Sequence, residues 1–91
     1  MKKIKKGFEL KDVCGERIIV AQGIANIDFS KVINLNETAA YLWTAVADQE
    51  FDERILAEHL VQEYDVETAT ALEDAQELIE EWEGHGLIEE V

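Results

Sequence analysis

The hydrophobic pattern of this chain changes period once, at Asn36, and that change limits what it can fold into. Before Asn36 apolar residues alternate with polar ones or run together, as in strands; after it they recur every three to four residues, as in helices. Phe8, Leu10 and Val13 interleave with Glu9, Lys11 and Asp12, and Cys14-Gly15-Glu16 reads as a turn. Arg17 to Ala21 is β-branched and continuously apolar, the mark of a central strand, and Gln22-Gly23 breaks it. A third extended region runs from Ile27 to Leu35, with Ser30-Lys31 as a tight turn inside it. Asn36 then reads as an N-cap with Glu37 in the first turn, and Ala39, Leu42, Trp43 and Val46 form the buried face of a helix ending near Asp48. Asp52 caps a second helix, where Phe51 and Leu56 are spaced for a hydrophobic staple and Leu60 and Tyr64 continue the face. The third helix is predicted over 67–83 with a stripe of Leu72, Ala75, Leu78, Ile79 and Trp82. Gly84 or Gly86 ends it, and Leu87-Ile88 folds back on the core. Strands first and helices after is the α+β pattern, a small antiparallel sheet beside three helices.

There is no proline, repeat or low-complexity linker, and the chain of 91 residues is 47% hydrophobic, so residues 1–91 are expected to form one domain around one core. Charge narrows the functions open to it. Eight basic and 21 acidic residues give a formal net charge of −13, which repels nucleic acid and anionic membrane surfaces. Through Lys31 seven basic residues face four acidic ones, a balance of +3; from Val32 onward only Arg54 opposes 17 acids, leaving −16. The single Cys14, the lack of an apolar run behind the N-terminal lysines, and the absence of a stretch of roughly 20 apolar residues predict a cytoplasmic protein without a membrane span.

Sites for chemistry are sparse. His59 with Glu63 and Glu81 with His85 have i, i+4 spacing, but such pairs arise by chance among 21 acids. Cys14 has no histidine near it in sequence, and Gly84-His85-Gly86 follows a helix instead of leading into one, so it does not make a phosphate loop. No catalysis, cofactor or metal is expected. Three binding features remain. The acids of the third helix (Glu73, Asp74, Glu77, Glu80, Glu81 and Glu83) form either a solvated face or a surface for a basic partner; Glu73/Glu77 and Glu77/Glu81 are like-charged i, i+4 pairs that weaken the helix. A sheet of about three strands leaves an edge that another extended chain can join. Trp82 belongs either to the core or to the floor of a groove beside that edge.

The segment Leu35-Asn36-Glu37-Thr38-Ala39-Ala40-Tyr41-Leu42-Trp43 resembles the start of the first helix in the PqqD family. Tyr64-Asp65-Val66 and the ending Asp74-Ala75, Leu78-Ile79, Trp82 and Gly86-Leu87-Ile88 resemble that family's later motifs in the same order. The resemblance implies a winged-helix-like fold, a three-stranded antiparallel sheet followed by a three-helix bundle. It implies a non-catalytic module that takes the leader segment of a ribosomally made precursor peptide as an added strand and presents it to a maturation enzyme, often of the radical S-adenosylmethionine type. Mapped onto this chain, the edge is Lys31, Val32, Ile33 and Asn34, and the cleft wall is Leu72, Ala75, Gln76, Ile79 and Glu83. A homodimer through the same edge is a further expectation. The alternatives are a winged-helix DNA-binding regulator, opposed by the −16 segment that holds every helix, and a scaffold subunit docking through its acids.

Overall fold

A computed structural model describes residues 1–21 and 33–91. Strand β1 (Lys2–Ile4) is followed by β2 (Phe8–Val13), β3 (Glu16–Ala21) and β4 (Ile33–Leu35), then helices α1 (Glu37–Ala45), α2 (Glu53–Glu63) and α3 (Thr68–Gly84), and finally strand β5 (Ile88–Glu90). β2, β3 and β4 form an antiparallel sheet in that order, so the α+β, winged-helix-like expectation of a three-stranded sheet with three helices holds. β1 and β5 make a second, two-stranded antiparallel sheet that the hydrophobic pattern did not predict. The segment from Gln22 to Val32, with the Ser30-Lys31 turn and the edge positions Lys31 and Val32, lies outside the described residues.

The β2–β3 hairpin closes on Cys14 and Gly15, both at positive φ (53° and 81°). Two successive left-handed residues match the right-handed twist of the strands they join. Across the sheet Leu10 faces Ile19 and Ile19 faces Ile33, and Phe8, Leu10, Ile33 and Leu35 all pack on the main core. Ile18, Ile19 and Val20 are buried in succession, as a central strand requires, and Asn34, opposite Ile18, is exposed.

Each predicted cap is formed. Asn36 Oδ1 accepts from the Ala39 amide at 2.8 Å, and Asp52 Oδ1 from the Ile55 amide at 3.0 Å. Phe51 and Leu56 are both fully buried, as the staple anticipates. α1 stops at Ala45, short of Asp48, because the chain must turn for the Phe51 backbone to exchange hydrogen bonds with Lys2 (2.6 and 2.8 Å). Gly86, at φ 72°, is the left-handed residue that ends α3, while Gly84 is its last helical residue. The Gly86 amide donates to Glu83 O at 3.0 Å and the Leu87 amide to Trp82 O at 2.9 Å, the paired bonds of a Schellman motif.

Trp82 is core. It is 1% exposed and meets Trp43 and Phe51 edge to face at centroid distances of 5.2 and 6.0 Å. Its Nε1 is the one buried side-chain nitrogen or oxygen without a hydrogen-bond partner among the described residues. β5 extends the folded-back tail: Leu87 and Ile88 are buried, and the strand then carries Glu89 and Glu90 opposite Lys3 and Lys2. Lys2 Nζ lies 2.6 Å from Glu90 and 3.0 Å from Glu83, and the N-terminal ammonium 3.3 Å from Glu90. Part of the basic-to-acidic asymmetry of the sequence is thus neutralised inside the molecule. The hydrogen bond from Lys2 holds the Glu90 carboxyl below its ordinary range, and Glu90 and then Glu83 raise the Lys2 ammonium above its own.

Candidate functional site: a groove between α1 and α3

β4 pairs with β3 along one side and with no other strand among the described residues. Its backbone therefore presents donors and acceptors on the far side. Ile33 and Leu35 turn toward the core, and the chain passes through the Asn36 cap directly into α1. From that cap onward, α1 and α3, with Leu60 of α2, bound an open groove of about 750 Å³ that includes no residue of β4. Half-buried Leu78 supplies its accessible apolar surface over the buried Ala39, Leu42 and Leu60, Asn36 and Thr38 stand on the α1 side, and Asp74, Glu77, Glu80 and Glu81 line the α3 side. None of these four acids makes an ion pair among the described residues. A smaller hollow of about 460 Å³ lies at the end of the sheet against Arg17, Asn34, Leu35 and Glu37.

The buried stripe of α3 is Ala71, Ala75, Ile79 and Trp82. At about 100° per residue, Asp74, Glu77, Leu78 and Glu81 fall on one flank of it and Leu72, Gln76 and Glu83 on the other. Of the positions mapped from the family resemblance, Ile33 is half-buried and Asn34 exposed at the β4 edge. Ala75 and Ile79 are buried in the core, Leu72 is half-buried against it, Gln76 is exposed, and Glu83 is held by Lys2. None of these α3 residues lines the groove. The groove residues carried a signal of their own, a single large apolar residue, Leu78, inside an otherwise acidic i, i+3, i+4, i+7 set.

No group of three or more His, Cys, Asp or Glu side chains converges as a metal site among the described residues. Cys14 is exposed at the hairpin tip, and His59 is half-buried with its ring against the edge of Tyr41 at 6.4 Å. No helix among the described residues is long and apolar enough to cross a membrane. What the arrangement can do is bind an extended chain, by backbone pairing at β4 and by side-chain insertion between α1 and α3.

Comparison with known proteins places this geometry in context. Among solved structures the fold is similar to lasso peptide synthetase B1 complexed with the leader peptide, at 18% identity and a TM-score of 0.71 over 98% of each chain. It is also similar to TbiB1 in complex with the TbiA(beta) leader peptide, at 13% identity and a TM-score of 0.73 over 98% of this chain and 96% of that one. No match is found among curated proteins. The family model for coenzyme PQQ synthesis protein D matches residues 18–88, from the central strand to the return of the chain after α3. That match takes in β4, all three helices and the groove between them, and by it the chain belongs to the PqqD family.

Proposed function

We propose that this chain is a non-catalytic recognition module that captures the leader segment of a ribosomally made precursor peptide and presents it to a maturation enzyme. The observation that carries the reading is the β4 edge, unpaired among the described residues, running through Asn36 into the α1–α3 groove, in a fold similar to two proteins solved with leader peptides. Strand addition supplies hydrogen bonds whatever the sequence of the peptide, and the groove supplies selectivity through its side chains. The binding edge is Ile33 and Asn34, with Lys31 and Val32 before them in sequence, and the helix wall is the Asp74, Glu77, Leu78 and Glu81 flank of α3. The partner enzyme is of the radical S-adenosylmethionine type, and the module works in the cytoplasm, where its peptide is made. The same edge serves for self-association, so peptide and a second copy compete, which sedimentation with and without peptide measures.

An NMR titration with the leader of a precursor encoded beside this gene tests the reading. Amide shifts at Ile33, Asn34 and along the groove flank of α3 are expected; saturating leader without shifts there refutes the site. Co-purification of the enzyme in the absence of any precursor, with no leader binding, would favour the scaffold alternative.

A further inference from the structure

We infer that the groove beside β4 selects an extended peptide whose large aliphatic residue is flanked two positions away on each side by Lys or Arg. The inference rests on the recognition reading above and names its ligand class. The accessible apolar residue of the groove is Leu78, over the buried Ala39, Leu42 and Leu60, and its charged residues are Asp74, Glu77, Glu80 and Glu81, with no basic side chain among them. Along α3, Asp74 lies about 6 Å before Leu78 and Glu81 about 4.5 Å after it, at about 1.5 Å of rise per residue. In an extended peptide, side chains on one face are about 6.6 Å apart. A leucine seated over Leu78 in a segment laid along α3 therefore brings the residues two before and two after it within reach of Asp74 and Glu81.

The placement of these acids points the same way. Glu81 sits in the last turn of α3, where a carboxylate opposes the helix dipole, and that turn has no basic residue. Glu77 and Glu81 repel each other at i, i+4. On the other flank Glu83 is matched by Lys2 at 3.0 Å, whereas the groove acids have no cation within ion-pair distance among the described residues. Their charge is left for a ligand to neutralise.

Three synthetic peptides of 11 residues, identical except for Lys, Gln or Glu at the two positions flanking a central Leu, test this by fluorescence anisotropy and amide shifts. The Lys peptide should bind about tenfold tighter than the Gln peptide at low salt, as two exposed ion pairs allow. The Glu peptide should bind most weakly, and the spread should shrink as salt rises. The double variant D74N/E81Q should bring the ratio of Lys-peptide to Gln-peptide affinity, about ten in the parent, close to one. Equal binding of the Lys and Gln peptides, or a preference that survives in the double variant, overturns the charge selection alone. If no peptide shifts Ile33 or Asn34, the strand-addition reading itself falls, and this inference with it.

Discussion

Leu78 and Ile79 are neighbours in sequence on α3, yet the structure assigns them opposite tasks, and truncating each in turn separates the groove from the core. Ile79 is 7% exposed and belongs to the main core, beside the buried stripe residues Ala75 and Trp82. Ile79→Ala removes apolar contact and leaves a cavity that neighbouring helices fill only in part, at a cost of about 2–5 kcal/mol. A domain of 91 residues has a total stability of roughly 5–14 kcal/mol. Over most of that range the variant stays folded at room temperature but melts lower, by about 4–8 °C for each kcal/mol lost. Leu78 is half-buried and faces the groove, so Leu78→Ala should cost only about 1 kcal/mol or less in stability. Its effect should fall on binding, where losing the apolar contact weakens the Lys-flanked peptide by roughly five- to tenfold. Urea denaturation and peptide anisotropy on both variants, at a temperature where each is folded, read the two effects separately. The reasoning is refuted if Leu78→Ala destabilises as much as Ile79→Ala, or if it leaves peptide affinity unchanged while Ile79→Ala reduces it.

The two glycines near the end of α3 should respond in opposite senses. Gly84 is helical with open space around it, so Gly84→Ala should stabilise by about 0.5–1 kcal/mol, while Gly86→Ala, at φ 72°, should destabilise by about 1–2 kcal/mol; denaturant midpoints decide both. Cys14 holds a left-handed conformation before Gly15, and Cys14→Asn should recover part of the ~1–2 kcal/mol that conformation costs most residues. Glu90, whose carboxyl is lowered from its ordinary 4.5, stabilises the fold above that value and loses this contribution as pH falls through its lower folded value; Lys2, raised from 10.5, contributes below 10.5 and loses it as pH rises through its higher folded value. The melting temperature of Glu90→Gln should therefore lie below that of the parent near neutral pH and converge with it well below pH 4.5, and parallel curves down to acid pH would contradict the assignment.

Local physics was legible wherever one residue type answers one local need. Asn36 and Asp52 satisfy amides three residues ahead, Cys14-Gly15 turns a hairpin, and the shift of period at Asn36 separates strands from helices. These depend on neighbours within a few positions, which is why order, caps and fold class followed from sequence. The β1–β5 sheet did not, because Lys2–Ile4 and Ile88–Glu90 are three residues each, too short for an alternating pattern, and they meet across nearly the whole chain. The charges that hold them, Lys2 against Glu83 and Glu90, look in sequence like a basic tail and an acidic one. Which flank of α3 lines the groove was undetermined for a related reason. Leu72 and Leu78 flank the buried stripe on either side, so periodicity locates the core face and leaves the two flanks equivalent. Sequence alone determined that a small sheet precedes three helices and that the third of them is acidic. Only the tertiary structure, by placing Asn36, Thr38, Ala39 and Leu42 across from one flank of α3, decided that Asp74, Leu78 and Glu81 line the groove and that Ala75 and Ile79 belong to the core.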